Sequence, residues 1–410
     1  MQAIFVIGMA VGNACISFLS MSLIAQHLSV ELFGQFSSAL ALVMIISPFA
    51  GFGVGNAWIK LAREGSTTKT FEYYALKLLL VTIILSICLV NSWAFFAPFE
   101  TEHRNLLISF SMMLIGQPFF ELYISQQQIR SKNISVGVLL FTQNALRLLL
   151  LLPMMELFPT LISIYKIAAI YVLVTMVLGL VAFQRLDLAR KPQTDKNRDI
   201  KPLFTGVFKV YALSWPFALS AGFQLIYYQA DIVMLASLLG AESAGLYNTA
   251  FMLIGASYIL PNALYHRFLQ PLIYTWSTNS QRYLRSAHII GGLSMMLIGF
   301  FVMLLIVFFG EMIINKFFGE KYSYSYEILL PLAISIPFTY TAYSLGSILL
   351  TQDSLKLKVL LMGFVALFNI VANSFAIPSY GPLGAATTTV LSSILLFLLY
   401  FSAAHSRFKC

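Results

Sequence analysis

The sequence predicts an all-α integral membrane protein of about twelve transmembrane helices arranged as two six-helix bundles. Three observations carry this expectation: a composition too poor in charge for water, a series of long apolar runs, and basic residues gathered between those runs. Of 410 residues, 59% are hydrophobic and 10% are charged, whereas a soluble chain needs roughly 25% charged residues to cover its surface. Lipid must therefore cover most of this surface. A helix needs about 20 apolar residues to cross a hydrocarbon core about 30 Å thick, so the chain has room for about a dozen crossings with short connections.

The first run, 3–27, lacks the Lys or Arg that opens a secretory signal, so it is expected to remain as a helix. Runs at 37–59, 76–97, 106–126, 135–155 and 163–183 follow. The longest hydrophilic stretch, Gln184 to Lys209, carries Arg185, Arg190, Lys191, Lys196, Arg198, Lys201 and Lys209. Six further runs lie near 210–238, 246–266, 287–309, 326–350, 359–377 and 384–404. The expected organisation is thus an N-terminal bundle over 1–183, a basic cytoplasmic linker over 184–209, and a C-terminal bundle with a cytoplasmic tail over 210–410.

The net charge of +9 could suggest nucleic acid, but the cations sit between spans rather than on one face. With alternate connections assigned to one side, 20 of the 25 Lys and Arg fall with the linker and the termini and 4 fall opposite. This bias orients both termini to the cytoplasm. The remaining cation, Arg147, lies inside the fifth run.

An internal repeat relates Glu31-Leu32-Phe33-Gly34-Gln35-Phe36 to Glu242-Ser243-Ala244-Gly245-Leu246-Tyr247 at an offset of 211, and Ala39 to Ala250 at the same offset. Two repeats in the same orientation are a common transporter plan. Prolines at 48, 118, 216, 261, 331 and 337 interrupt spans and are expected to bend them. Gly51-Phe52-Gly53-Val54-Gly55-Asn56 lacks the strand–turn–helix setting of a nucleotide loop, and close packing or a bend explains it better.

Polar groups inside apolar spans are the candidate functional residues. Ser220, Gln224, Tyr227, Tyr228 and Asp231 share one helical face, and the repeat maps Gln224, Tyr228 and Asp231 onto Asn13, Ser17 and Ser20. These two stripes are expected to face each other, either lining a cavity or bonding across helices. Asp231 must be protonated, paired or hydrated; it serves either as an ion-coupling or substrate group or as a carboxylate satisfied by neighbouring hydroxyls. Arg147 either pairs with Glu121, which lies at matching depth, or forms an anion site, since guanidinium binds phosphate oxygens bidentately. Glu121 is a second ion-coupling candidate. Lys60, Arg63, Lys77, Lys209 and Arg267 mark helix ends, and Lys60 and Arg267 are candidates for meeting an incoming diphosphate. Three scattered cysteines and five histidines offer no metal-ligand pair, catalytic constellation or cofactor motif.

Gly245-Leu246-Tyr247-Asn248-Thr249-Ala250, Phe318-Gly319-Glu320-Lys321-Tyr322, Asn369 through Pro378, Gly381, Gly384-Ala385-Ala386 and Thr389-Val390 resemble, in order and spacing, the polysaccharide-exporter branch of the multidrug/oligosaccharidyl-lipid/polysaccharide superfamily. Size and short loops are most similar to its O-antigen flippases. The resemblance implies two six-helix bundles around a central, usually cationic cavity that opens alternately to each side. It also implies an undecaprenyl-diphosphate-linked oligosaccharide as substrate, moved from the cytoplasmic to the periplasmic leaflet of the bacterial inner membrane. Membrane lipids and other polysaccharide-assembly membrane proteins are the further partners implied, with an ion gradient as driving force. A multidrug or organic-cation antiporter of the same fold is the alternative, for which Asp231 and Glu121 speak. A membrane polymerase or ligase would need a large periplasmic loop, and the longest such loop, Gly310 to Glu327, is short.

Overall fold

Helix is the only regular structure among the described residues, as lipid demands of a backbone that must satisfy its own hydrogen bonds. The computed structural model describes residues 2–65, 69–157, 163–187, 203–262, 264–265, 269, 272–273, 276, 281–349 and 355–406. The middle of the basic linker (188–202), Arg267, and the tail residues Arg407 and Lys409 lie outside the described residues.

The first helices are α1 (Gln2–His27), α2 (Val30–Gly51), α3 (Val54–Arg63), α4 (Lys69–Phe96), α5 (Thr101–Ser111), α6 (Met113–Ile129), α7 (Asn133–Leu157) and α8 (Ile164–Arg185). They continue with α9 (Leu203–Leu238), α10 (Ala241–Ser257), α11 (Ile259–Asn262), α12 (Gln281–Ser286), α13 (Gly292–Phe317), α14 (Ser325–Ala333), α15 (Ser335–Ile348) and α16 (Leu355–Ser406). Eight of the described helical stretches are long and apolar enough to cross a membrane, and the pair α14–α15, bent by 45°, makes a ninth. Helix α16 is two helices joined at Gly381, whose φ of 62° and ψ of −145° are open to glycine and costly for other residues. With α9 and the 17-residue α10, each of the twelve apolar runs corresponds to a described helix or helix pair.

The breaks have local causes. Pro331 and Pro337 flank the α14–α15 bend at Ile334, and each removes an amide hydrogen and crowds the carbonyl four residues earlier. The Gly51-Phe52-Gly53 segment parts α2 from α3, with Phe52 at φ 45° and Gly53 at φ 65°. Outward-facing side chains are large and apolar: Phe308 is 76% exposed and Phe375 74%. Water would penalise such a surface, and acyl chains solvate it.

The chain forms two compact units. One comprises Met1–Met9 and Ala39–Gln229, the other Ala10–Ser38 and Ala230–Cys410, so α1, α2 and α9 each contribute to both. In the first unit, Val54, Trp58, Phe71, Tyr74, Leu78, Leu122 and Val210 form a core where α3, α4, α6 and the start of α9 meet. In the second, Phe33, Phe36, Tyr247, Phe318, Tyr322 and Tyr340 are fully buried.

Two motifs of the second unit hold its chain corners. Lys321 Nζ donates to the carbonyls of Gln26 (2.9 Å) and Leu28 (2.6 Å), and Tyr322 Oη donates to that of Ala25 (3.2 Å). A cation thus closes the C-terminal end of α1, where carbonyls lack helical partners, and partial burial lowers the Lys321 pKa from the usual lysine value. Lys321→Met is expected to cost about 1 kcal/mol for an exposed charge-assisted bond. In a thermal unfolding scan in detergent this corresponds to a drop of about 1–3 °C; an unchanged midpoint would show that the cap carries no stability.

The second corner joins the repeated segments to each other. A Cβ on Gly34 would overlap the carbonyl of Ala241, and one on Gly245 would overlap the carbonyl of Val30. Three residues further along each segment, Asn248 Nδ2 donates to Ser37 Oγ at 2.9 Å. Gly34 and Gly245 also approach each other, so positions related by the offset of 211, 34 with 245 and 37 with 248, are in contact.

Candidate functional site

Two buried polar centres stand out, one in each unit. In the second unit, Asp231 is 1% exposed near the end of α9. Tyr247 Oη donates to its Oδ2 at 2.6 Å, Asn373 Nδ2 donates to its Oδ1 at 2.6 Å, and Thr389 Oγ1 donates to Oδ2 as well. A second ring of polar groups supports these donors. Asn373 Nδ2 also reaches Asn369 Oδ1 at 3.2 Å, Thr388 Oγ1 donates to Asn373 Oδ1, and Asn369 Nδ2 reaches Ser392 Oγ at 3.4 Å.

Sequence spacing builds this cage. Asn369 and Asn373 are four apart and share one face of the first half of α16, while Thr388, Thr389 and Ser392 line the adjoining turns of its second half. The turn at Gly381 folds those halves together. Gly240, at φ 98°, ends α9 so that α10 returns beside it and delivers Tyr247. An unpaired carboxylate in such a place would be prohibitively desolvated, and bonds to both oxygens offset that cost. The cage surrounds one carboxylate with neutral amide N–H and hydroxyl O–H donors. Among the described residues no three His, Cys, Asp or Glu are grouped to hold a metal ion.

In the first unit, Arg147 on α7 extends toward α8. Its Nη1 donates to Asn144 Oδ1 at 3.2 Å and its Nη2 to Thr175 Oγ1 at 3.0 Å. The guanidinium carbon lies 4.6 Å from the centroid of the Tyr171 ring, and Nε is buried without a hydrogen-bond partner. The Arg147–Glu121 pair is not formed. Glu121 instead accepts from Gln117 Nε2 at 3.0 Å, Gln117 Oε1 accepts from Gln143 Nε2 at 3.0 Å, and the carboxylate turns toward Gly51. The two residues match in depth but leave their helices in different directions. Lys60–Glu64 at 3.9 Å and Arg130–Asp187 at 3.1 Å are exposed ion pairs of this unit.

The other candidates are placed as follows. Asn13 and Ser17, in the second unit, are half-buried, and Ser20 bonds the Ile16 carbonyl of its own helix at 2.8 Å. Gln224 and Tyr228, in the first unit, are exposed and half-buried respectively, with the Tyr228 ring 5.0 Å from that of Tyr227. Lys60 is exposed and pairs with Glu64, and Arg267 lies outside the described residues. Sequence reasoning singled out Asp231 without its partners. Tyr247, Asn373 and Thr389 belong to three separate motifs on three helical segments, and helical spacing alone could not bring them together.

A family model described as "Polysaccharide biosynthesis protein" matches residues 2–274. The chain is 23% identical over 198 residues to the capsular polysaccharide biosynthesis protein CapF of Staphylococcus aureus, a match that spans 47% of this chain and 49%, about half the length, of that curated relative. Among solved structures, the lipid II flippase MurJ in an inward closed conformation superposes with a TM-score of 0.75 at 14% identity, covering 96% of this chain and 86% of that one. An inward-facing multidrug resistance MATE transporter of the MOP superfamily superposes with a TM-score of 0.67 at 14% identity, covering 98% and 94%. These likenesses establish a shared all-α membrane transporter fold.

Proposed function

This chain belongs to the Polysaccharide biosynthesis protein family, and from that premise we propose that it is a flippase for undecaprenyl-diphosphate-linked oligosaccharide, an O-antigen repeat unit or similar glycan. It moves this lipid from the cytoplasmic to the periplasmic leaflet of a bacterial inner membrane by alternating access and draws on an ion gradient. Both termini lie in the cytoplasm on this reading, supported by the 20-to-4 bias of cations.

The observation that carries the reading is Arg147. A guanidinium within a span, held by an amide, a hydroxyl and an aromatic ring but, among the described residues, by no carboxylate, keeps its positive charge for an anion to meet. A sugar diphosphate cannot enter hydrocarbon without such compensation. Asp231 supplies the coupling site: binding or releasing one monovalent charge in its cage changes the electrostatics of the unit that holds it. CapF, a capsular polysaccharide biosynthesis protein, and the lipid II flippase MurJ support the same substrate class.

The test is deletion of the gene in a host that makes one defined surface glycan and has no second exporter, followed by complementation. Wild type is expected to restore the glycan. Arg147→Ala is expected to restore roughly a tenth of it or less, the effect of losing about 1.5–3 kcal/mol of charged hydrogen bonding. Normal glycan in the deletion strain would sink the flippase reading. Glu121, whose carboxylate is exposed within a span, favours a second reading as an organic-cation antiporter. That reading requires dye uptake into inverted vesicles to fall in Glu121→Gln.

A further inference from the structure

One corner of the first unit carries an arrangement that neither ion coupling nor Arg147 uses. The rings of Phe208, Tyr211 and Phe52 form a row: Phe208 and Tyr211 stack at 6.0 Å and 21°, and Tyr211 and Phe52 at 5.1 Å and 23°. Phe208 is 58% exposed and Tyr211 44%. Phe52 reaches Tyr211 from the break between α2 and α3, where its φ of 45° costs about 1–2 kcal/mol for a residue with a bulky side chain. Gly53 permits that approach, since a Cβ there would press on the α9 backbone at Ser214 and Ala218.

The same corner is basic. Lys209 follows Phe208 on α9, Lys60 and Arg63 lie on the exposed face of α3, and Lys77 on α4 sits 4.5 Å over the Tyr73 ring. Phe52, Tyr73 and Tyr74 pack on one shared core with Val210, so the helices that carry these cations converge on the core that also seats Phe52 of the ring row. Glu64 pairs with Lys60, leaving positive charge in excess.

We propose that Phe208, Tyr211 and Phe52 form a carbohydrate-stacking platform and that the surrounding lysines receive the attached diphosphate, so that this corner is the docking site for the substrate headgroup before it enters the membrane. The inference rests on the flippase reading and on the charge bias that puts this end of the unit in the cytoplasm. Aromatic faces carry negative quadrupole density, and the apolar face of a pyranose offers axial C–H groups of the opposite polarity. Rings that merely anchor a protein at the lipid interface need no mutual stacking and no backbone strain. Here both are present, with a charge complement for a diphosphate beside them.

The experiment uses the full chain in lipid nanodiscs and measures affinity for three probes: undecaprenyl-diphosphate-N-acetylglucosamine, undecaprenyl diphosphate without sugar, and phosphatidylglycerol. Phe208→Leu and Tyr211→Leu keep apolar bulk but remove the ring face. Each is expected to weaken binding of the sugar-bearing lipid about three- to tenfold, the scale of an aromatic contact, and to leave the other two probes unchanged. Phe208→Trp is expected to retain wild-type binding. Lys209→Ala is expected to weaken both diphosphates and spare phosphatidylglycerol.

Equal losses for all three lipids would identify the rings as an interfacial anchor and overturn the platform, as would unchanged binding of the sugar-bearing lipid. If the leucine variants bind it normally while wild type still translocates it, the platform falls and the flippase reading stands. If wild type prefers neither diphosphate over phosphatidylglycerol, the flippase reading falls and takes the platform with it.

Discussion

Asp231→Asn is expected to leave the protein folded, to lower export by about tenfold or more, and to abolish its response to an imposed ion gradient. An asparagine oxygen can still accept from Tyr247 and Thr389, which now meet Oδ2 of the carboxylate. Its amide nitrogen would then face Asn373 Nδ2, at present 2.6 Å from Oδ1, so one bond is lost and one charge removed. The cage survives but no longer binds or releases a cation. Asp231→Leu removes every acceptor and leaves Tyr247, Asn373 and Thr389 buried without their partner, at about 1–3 kcal/mol for each stranded group. That variant is expected not to accumulate as folded protein. The measurement is glycan-lipid translocation in proteoliposomes with and without proton or sodium gradients, beside a thermal unfolding scan of each variant. Export by Asp231→Asn that still tracks the gradient would remove Asp231 from the coupling role.

The contact between the repeated segments is expected to tolerate no added side chain at its two glycines. Gly34→Ala and Gly245→Ala each drive a methyl group into a backbone carbonyl, which cannot swing aside as a side chain can. Overpacking of this kind costs about 1–3 kcal/mol, and the larger Gly34→Leu is expected to give no folded protein. Asn248→Ala, which only removes a 2.9 Å bond to Ser37, should cost about 1 kcal/mol. Fluorescence-detected size exclusion after heating ranks the series. Because Gly34 and Gly245 share one contact, their double alanine variant should depart from the sum of the singles. A simple sum would show that the two backbones do not meet as described.

How far the molecule can be read from its sequence depends on which physical variable is asked for. Span existence follows from apolar length and charge placement, both written along the chain, and the Gly51-Phe52-Gly53 and Pro331/Pro337 breaks follow from residue types that helices resist. Depth within a span is equally legible, and it singled out Arg147, Glu121 and Asp231. Direction around a span is not, because helices that are apolar on all sides give no periodic clue to which face meets which neighbour. Arg147 and Glu121 were therefore matched by depth and separated by azimuth, one leaning on Tyr171 and Thr175, the other bonded to Gln117. The same blindness hid the partners of Asp231, which stand 16, 142 and 158 residues away from it.

The self-matching corner at Gly34 and Gly245 also bears on how such a chain can diverge. Were the two segments identical copies on separate molecules, they would meet as an isologous patch in which each contact of position i with j recurs as j with i, and positions on the axis oppose their own twins. A change that suited one side would be imposed on the other. Glycine endures that condition, because only the smallest residue can oppose itself at backbone distance. Within a single chain the condition is lifted one position at a time: 37 is serine where 248 is asparagine, so one side donates and the other accepts. Covalent fusion of the copies thus turns a symmetric contact into one whose two sides can be adjusted independently, while the glycines at its centre stay bound to each other's size.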